Sequence, residues 1–378
     1  MELTEIRKQL DEIDAQIIDL FVRRMEASEE VAQYKIEHGM NVYDPVREKA
    51  KIENVKNSVA KPEYQHGAQA LFNQLMTISR MRQYEIIEQP ESSSFGYKQI
   101  PQIRKAEGRV AYQGMPGAYG HQAALSFFGR DADLYNVSTF EDVMREVQNG
   151  QAQFGVLPEE NSSTGIIADV FDLLDRYDNC IVSENVVSVE HALLGVKGSS
   201  IRDIRTVYSH PQGILQCSKF LSSRPEWNQV SLKNTAVSAM RVADDGDPSQ
   251  AAIASPAAAE YYNLDILRTH ISDNENNSTR FIIIRHEKEY EENANELALT
   301  FELQHESGSL YRALGYLIYN GLNMTRIESR PIQGEKWKYR FFVNLDGSLN
   351  DVGIRNALAG LRRETTAFKI LGNYVRSE

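Results

Sequence analysis

The sequence predicts three successive architectures: an all-α segment, an α/β segment and a C-terminal βαββαβ unit. Three observations carry this. From Ile6 to Phe21, apolar residues recur at spacings of three and four, and no proline occurs before Pro45. From Arg104 to about Arg285, short strand-like runs alternate with helical stretches, the pattern of layered α/β proteins. After an acidic loop near Glu287–Asn295, Leu297, Leu299, Phe301 and Leu303 alternate as a strand, opening the element order of a ferredoxin-like unit. The expected boundaries are 1–90, a linker at 91–103, then 104–286 and 295–378.

In the first segment, Ile6, Leu10, Ile13, Ile17, Leu20 and Phe21 form the apolar stripe of a helix running from about Leu3 to His38, where Gly39 stops it. Helices beyond about 25 residues are unusual in compact monomers. Three helices, one of them very long, bury little core alone, so a second copy of the chain is expected. Asp44-Pro45 opens the second helix, with Asp44 as N-cap and Pro45 at the first position. Residues 64–87 give the third. Ser92, Ser93, Ser94, Gly96 and Pro101 mark the linker.

In the second segment, strands are expected at Arg109–Tyr112, Phe154–Val156, Cys180–Val189, Thr206–Tyr208, Ala251–Ala254 and Phe281–Ile284. Helices at His121–Phe128, Phe140–Gln148 and Gln212–Leu221 would cover a largely parallel sheet. Ligands of such sheets bind beyond the strand carboxyl ends. The last unit continues with a helix at Ser309–Tyr319, strands at Asn323–Ile332 and Trp337–Leu345, a helix at Asn350–Arg363 and a strand at Ile370–Val375.

Composition narrows the function classes. Of 378 residues, 42% are hydrophobic and 25% charged, which excludes disorder throughout. The formal net charge of −12 disfavours general nucleic-acid binding. The two cysteines, Cys180 and Cys217, form no zinc spacing, and no metal is expected. The charged start lacks the apolar core of a signal peptide, and no apolar run approaches a membrane span. A cytoplasmic protein, with no membrane partner, is expected. No nicotinamide, flavin or pyridoxal signature appears, so no cofactor is expected.

In the helical segment, Arg24 and Lys35 lie 11 positions apart on one helix face, about 16 Å along the axis. Two long cations at that spacing suit a small dicarboxylate, although solvated surface charges would also fit. Ser79 and Gln83, four apart, share another face. The ordered set Ile6-Arg7, Arg23-Arg24, Val31 to Lys35, Asp44-x-x-Arg47-Glu48 and Leu71-Phe72 followed by Ser79-x-x-x-Gln83 resembles the all-helical chorismate mutase family. That resemblance implies an intertwined dimer in which Arg7 reaches the partner's site. It implies that Arg7, Arg24 and Arg47 bind carboxylates and that Lys35 and Gln83 donate to the ether oxygen. Glu48 would accept from the ring hydroxyl, Ser79 would support a carboxylate, and Asp44 would belong to the substrate-binding set.

In the central segment, Gln113-Gly114-Met115-Pro116-Gly117-Ala118-Tyr119-Gly120-His121 predicts a glycine turn and helix start, read either as an anion site of free backbone N–H groups or as a tight turn only. Pro158-Glu159-Glu160-Asn161-Ser162-Ser163-Thr164-Gly165, Val189-Glu190-His191, Ser209-His210-Pro211-Gln212 through Gln216-Cys217, and Asn277-Ser278-Thr279-Arg280-Phe281 together resemble the prephenate dehydratase family. The implied fold is two α/β lobes around a cleft, like periplasmic solute-binding proteins. The resemblance implies Thr279 as proton donor to the leaving hydroxyl. Asn161, Ser209, Gln212 and Gln216 would orient substrate, and Thr164 would face the cleft from a helix start. Arg280 is read as a carboxylate clamp or a structural ion pair. Glu160 would hold Asn161 or tune the hydroxyl network. Histidine in general titrates near neutrality, and His191 and His210 are read as acids or as satisfied structural groups.

In the last unit, Gly308-Ser309-Leu310-Tyr311 and Asn323 with Glu328-Ser329-Arg330-Pro331 resemble the ACT regulatory domain attached to this dehydratase. That implies phenylalanine as an allosteric inhibitor held by these residues. Ser309 and Tyr311 stand where the pattern has Ala and Val. The combined expectation is a bifunctional enzyme of phenylalanine biosynthesis, taking chorismate to prephenate and prephenate to phenylpyruvate, as a homodimer or larger. Two readings stay open beside it: a dehydratase with a non-catalytic helical dimerisation segment, and a non-enzymatic amino-acid sensor.

Overall fold

The helical stripe read from the sequence forms one unbroken helix, α1 (Leu3–Glu37), followed by α2 (Pro45–Ser58) and α3 (Pro62–Ile87). The computed structural model describes residues 2–87, 95–105, 108–332, 334–335 and 337–377. The chain packs as two units: Met1–Gly96 with Leu299–Lys369, and Tyr97–Ala298 with Ile370–Glu378. The expected division at 90, 104, 286 and 295 is therefore not the one that packing follows. The helices and most of the C-terminal segment share a unit.

In the first unit, α1 buries only the small Ser28 and Ala32. Leu10, Ile13, Ile17, Ile18 and Leu20 of its apolar stripe stay exposed. Asp44 caps α2 by accepting from the Arg47 amide at 3.0 Å, with Pro45 at the first position. In the second half of α3, Met76, Thr77, Ser79, Arg80, Met81, Gln83 and Tyr84 are buried. Buried polar groups on a helix face must find partners, and these find them in the cavity described below.

The C-terminal segment keeps the predicted βαββαβ order: Glu296–Glu302, Ser309–Tyr319, Met324–Pro331, Tyr339–Asp346, Val352–Glu364 and Ala367–Tyr374. Its strands lie in the order Met324–Pro331, Tyr339–Asp346, Glu296–Glu302, Ala367–Tyr374, with Met324–Pro331 at an edge. The two helices approach closely at Gly360, where any Cβ would overlap the Tyr316 ring.

The second unit has two lobes, each built on a sheet. One holds Cys180–Ser188, Ser278–Arg285, Phe154–Asn161, Val110–Gln113 and Leu134–Val137 in that order; the other holds Asp265–Arg268, Ala192–Gly195, Gln250–Ala254, Thr206–Ser209 and Asn228–Ser231. The sheets are mixed, not largely parallel. Val110–Gln113 is parallel to both neighbours, whereas Ser278–Arg285 runs antiparallel to both of its own. The chain leaves the first lobe after Ser188 and returns at Ser278, so the outgoing and returning strands meet head to tail. The second lobe is sealed by two apolar clusters, around Ala252 and Ala254 on one face and Val207, Ile253 and Trp227 on the other.

Two expectations are corrected here. The helix Gln212–Leu221 is broken at Cys217 into Pro211–Gln216 and Ser218–Ser222. The expected linker is structured from Tyr97: Lys98–Ile100 pairs in parallel with Glu289–Glu291, and Tyr97 and Ile103 are buried. The Tyr97 hydroxyl donates to the Ile370 carbonyl at 3.0 Å. Three anchors, Tyr97, Ile100 and Ile103, were hidden among turn-forming residues. Residues 91–94 lie outside the described residues. No helix among the described residues is long and apolar enough to cross a membrane.

Candidate active sites

α1, α2 and α3 enclose a cavity of about 450 Å³. Arg24, Lys35, Asp44, Arg47, Glu48, Ser79 and Gln83, all predicted from the sequence, line it. Arg7 is exposed on the first turns of α1 and does not line it.

The cavity side chains are held before any ligand arrives. Arg24 Nη1 donates to the Leu75 carbonyl at 2.9 Å and to Ser79 Oγ. Lys35 Nζ donates to the Val42 carbonyl at 2.5 Å and to Gln83 Oε1 at 3.2 Å. Gln83 Nε2 in turn donates to Ser28 Oγ at 3.0 Å. Burial lowers the pKa of Lys35, assisted by the charge of Arg47 and opposed by Asp44 and Glu48. Arg24 is lowered by burial as well, with Glu48 opposing. Arg24, Lys35, Arg47, Lys51 and Arg80 outnumber Asp44 and Glu48 in the lining of this partly desolvated cavity, which favours an anionic ligand.

Among the polar residues lining this cavity, sequence reasoning missed Ser28, Lys51, Asn54 and Arg80. Ser28 sits seven before Lys35, two turns away on the same face. Arg80 precedes Gln83 by three, so the helical period that paired Ser79 with Gln83 also reaches it. Its guanidinium is buried and ion-paired to Glu48 and to Glu364.

In the second unit, Thr279 is buried and paired in register with Asn161. Asn161 Nδ2 donates to Thr279 Oγ1 at 2.9 Å and to Asn277 Oδ1 at 2.9 Å. Asn161 Oδ1 accepts from the Ser163 and Thr164 amides and from Thr164 Oγ1. Thr164 thus belongs to a turn between strands, not to a helix start, because Gly165–Ile166 folds back on Phe154–Asn161. Asn277 was overlooked as a site residue. It is buried, and its Oδ1 also accepts from Ser163 Oγ at 3.1 Å.

Arg280 pairs in register with Glu160. Neighbouring residues of a strand point to opposite sheet faces, so Arg280 and Glu160 lie on the face opposite Thr279 and Asn161. Arg280 is 3.4 Å from Glu160 and 3.6 Å from the buried Glu184. Of its two readings, the structure favours the ion pair over the clamp. Glu160 does not hold Asn161. Burial raises the pKa of Glu184, with Arg280 opposing.

Gln216, Ser163 and Asn277 line a cavity of about 300 Å³ with Asp273 and Asn274. Gln216 Oε1 lies 2.8 Å from His191 Nε2. Tyr119 Oη lies 3.2 Å from His191 Nδ1, so both ring nitrogens are engaged. His210 caps the following helix through the Gln212 amide. Ser209 is fully buried, its hydroxyl donating to the Ile253 carbonyl at 2.8 Å, while Gln212 is exposed. In the glycine turn, the amides of Gly114, Gly117 and Ala118 bond Val137 O, His121 Nδ1 and Met115 O.

Burial lowers the pKa of His191 and of His121 from the ordinary value of 6.5. Below that value the unfolded chain binds protons that the folded chain refuses. Stability is therefore complete above 6.5 and declines as pH falls through and below it. His191→Gln is expected to recover at most about 1.4 kcal/mol of that decline per pH unit. Urea midpoints at about pH 7 and about pH 5 check this; an unchanged decline counts against it.

In the βαββαβ segment, Gly308 adopts φ +79° immediately before the helix that begins with Ser309 and Leu310. Tyr311 is exposed, with its hydroxyl 3.4 Å from Gln74 Oε1. Glu328, Ser329, Arg330 and Pro331 lie on the edge strand opposite Phe342, Phe341, Arg340 and Tyr339. Asn323 Nδ2 donates to Asp346 just before that strand. No group of three or more His, Cys, Asp or Glu among the described residues is placed to hold a metal ion.

Comparison with known proteins agrees with two separate sites. A family model of chorismate mutase type II matches residues 6–84, and one of prephenate dehydratase matches residues 110–289. The bifunctional chorismate mutase/prephenate dehydratase of Enterobacter agglomerans is 30% identical, the alignment covering 98% of this chain and 95% of that protein. Among solved structures, one described as GqqA, a novel type of quorum quenching acylase, has a TM-score of 0.66 at 32% identity, covering 71% of this chain and 98% of its own. A prephenate dehydratase from Arthrobacter aurescens in complex with L-Phe also has a TM-score of 0.66, at 28% identity, covering 71% of this chain and 90% of its own.

Proposed function

The chain belongs to the family of bifunctional chorismate mutase/prephenate dehydratases, and we propose that its two sites divide the two reactions. The cavity of α1–α3 rearranges chorismate to prephenate. The Thr279–Asn161 site converts prephenate to phenylpyruvate.

The observation that carries the first assignment is the convergence of seven side chains, from three helices and the turn before α2, on one cavity. Chorismate rearrangement breaks an ether C–O bond and forms a C–C bond within one molecule, with no proton transfer. The catalyst holds the compact conformer and stabilises charge on the ether oxygen. Arg24 and Arg47 bind the carboxylates through forked donors. Lys35 and Gln83 donate to the ether oxygen, Glu48 accepts from the ring hydroxyl, Ser79 supports Arg24, and Asp44 lines the wall. Arg7, exposed in its own subunit, completes the cavity of a second copy docked on the exposed stripe of α1, giving a homodimer.

At the second site, Thr279 Oγ gives its proton to the departing ring hydroxyl, which leaves as water, and Thr279 takes a replacement proton from solvent. The C–C bond to the ring carboxylate breaks, its electron pair completes the aromatic ring, and CO2 departs. Asn161 orients the Thr279 hydroxyl, with Asn277 fixing Asn161 and Gln216 and Thr164 on the approach to substrate. Ser209 and Gln212 belong to the second lobe's contribution, Ser209 through packing. The βαββαβ segment is an ACT regulatory domain that binds phenylalanine at Gly308–Leu310 and Asn323 with Glu328–Pro331. The L-Phe in the Arthrobacter aurescens dehydratase supports this. Inhibition requires that phenylalanine bind one arrangement of the chain better than another.

The test is one assay series on the full chain. Phenylpyruvate is expected from chorismate and from prephenate, with both rates lowered by phenylalanine. Prephenate accumulating without phenylpyruvate would remove the second assignment, and chorismate left unconsumed would remove the first.

A further inference from the structure

One guanidinium connects the cavity of α1–α3 to the C-terminal part of the same unit. Arg80 borders the cavity, yet its side chain is only 3% exposed. Its Nη1 donates to both carboxylate oxygens of Glu48, and Nη2 donates to Thr77 Oγ1 at 3.2 Å. On the other side, Arg80 Nε lies 2.9 Å from Glu364 Oε1. Glu364 ends the helix Val352–Glu364, is itself 7% exposed, and accepts from the Tyr316 hydroxyl at 2.9 Å. The Tyr43 ring stacks within 5.2 Å of the guanidinium carbon. This cation is fixed from every side, and its free choice of orientation is gone.

Glu48, at 23% exposure, stands on the cavity wall between Arg80 and the open volume. A carboxylate on a flexible stem selects a substrate conformer only if it is held in place, because positioning is what such a site supplies. The two contacts from one nitrogen tether both oxygens against the guanidinium. We propose that Arg80 is a positioning residue for the mutase reaction, aiming Glu48 at the ring hydroxyl. Glu364, outside the residues matched to the mutase family, holds Arg80 in place. This rests on the assignment of the cavity made above.

The test is a double-mutant cycle in the full chain. Arg80→Met is expected to lower mutase kcat about tenfold, with KM for chorismate moving less than about threefold because Arg24 and Arg47 remain. If Arg80 acts through Glu48, adding Arg80→Met to Glu48→Gln costs no more than about a further twofold. Arg80→Lys, which keeps the charge, is expected to recover part of the loss, and Glu364→Gln to lower kcat about threefold. Losses that multiply in the double variant overturn the proposal. So does Arg80→Met turnover within about twofold of the parent. Should Arg80→Met not fold, as judged by circular dichroism, Arg80→Gln takes its place in the same cycle with the same criteria. A parent chain without mutase turnover would overturn the cavity assignment and this proposal together; parent turnover with multiplicative losses overturns the role of Arg80 alone.

Discussion

Thr279→Ala is expected to lower prephenate dehydratase turnover by about 10²–10⁴-fold, the usual contribution of a positioned proton donor. The Asn161 amide would lose its hydroxyl partner at 2.9 Å but keep Asn277 and the Ser278 carbonyl. The site should therefore survive as a structure while losing its acid. Mutase turnover, in the other unit, should not move. Thr279→Ser, which keeps the hydroxyl, should retain most of the activity. Steady-state rates on prephenate decide the matter, with circular dichroism as the control of fold. A Thr279→Ala rate within about tenfold of the parent would mean that the proton comes from elsewhere.

Lys35→Ala should produce the largest loss in the other reaction, about 10²–10³-fold in mutase turnover, as expected for removing one donor aimed at developing oxygen charge. Lys35 is partly desolvated, which strengthens its field at the ether oxygen. It also anchors the Val42 carbonyl and Gln83. Lys35→Ala therefore releases a second donor as well as deleting the first. Gln83→Ala alone should cost less. Dehydratase turnover on prephenate should be unchanged in both variants. A Lys35→Ala mutase rate near that of the parent would overturn the assignment of the cavity.

Several elements were legible because local physics specifies them. The period of Ile6 to Phe21 and the absence of proline produce α1. Asp44-Pro45 produces the start of α2, where the side chain accepts from the Arg47 amide as an N-cap does. Phe140–Gln148 and Ser309–Tyr319 carry their boundaries in their amphipathic period. The break at Cys217 was not legible, since Gln212–Leu221 has no proline or glycine at that point. The linker was misread because Tyr97, Ile100 and Ile103 gain their burial only from partners far along the chain, as Tyr97 does from Ile370.

The sites divide in the same way. Helical spacing relates residues on one helix, so Arg24 with Lys35 and Ser79 with Gln83 could be grouped in advance. It carries no information about which helix faces which. Nothing in the local sequence marks Arg80, because its two carboxylate partners lie 32 and 284 positions away. For Arg280 the sequence leaves clamp and ion pair open; strand alternation puts its side chain on the face opposite Thr279, beside Glu160 and Glu184.

The sequence by itself determined most of the order of helices and strands and a net charge of −12, which disfavours a polyanionic partner. These depend on period, capping and composition, which act over a few residues. Only the tertiary structure decided that the helices share a unit with the C-terminal segment, that Arg280 is committed to Glu160 and Glu184, and that Arg80 stands between Glu48 and Glu364. Ion pairs and buried hydrogen bonds between distant residues are set by how whole elements pack, and no local spacing records that choice.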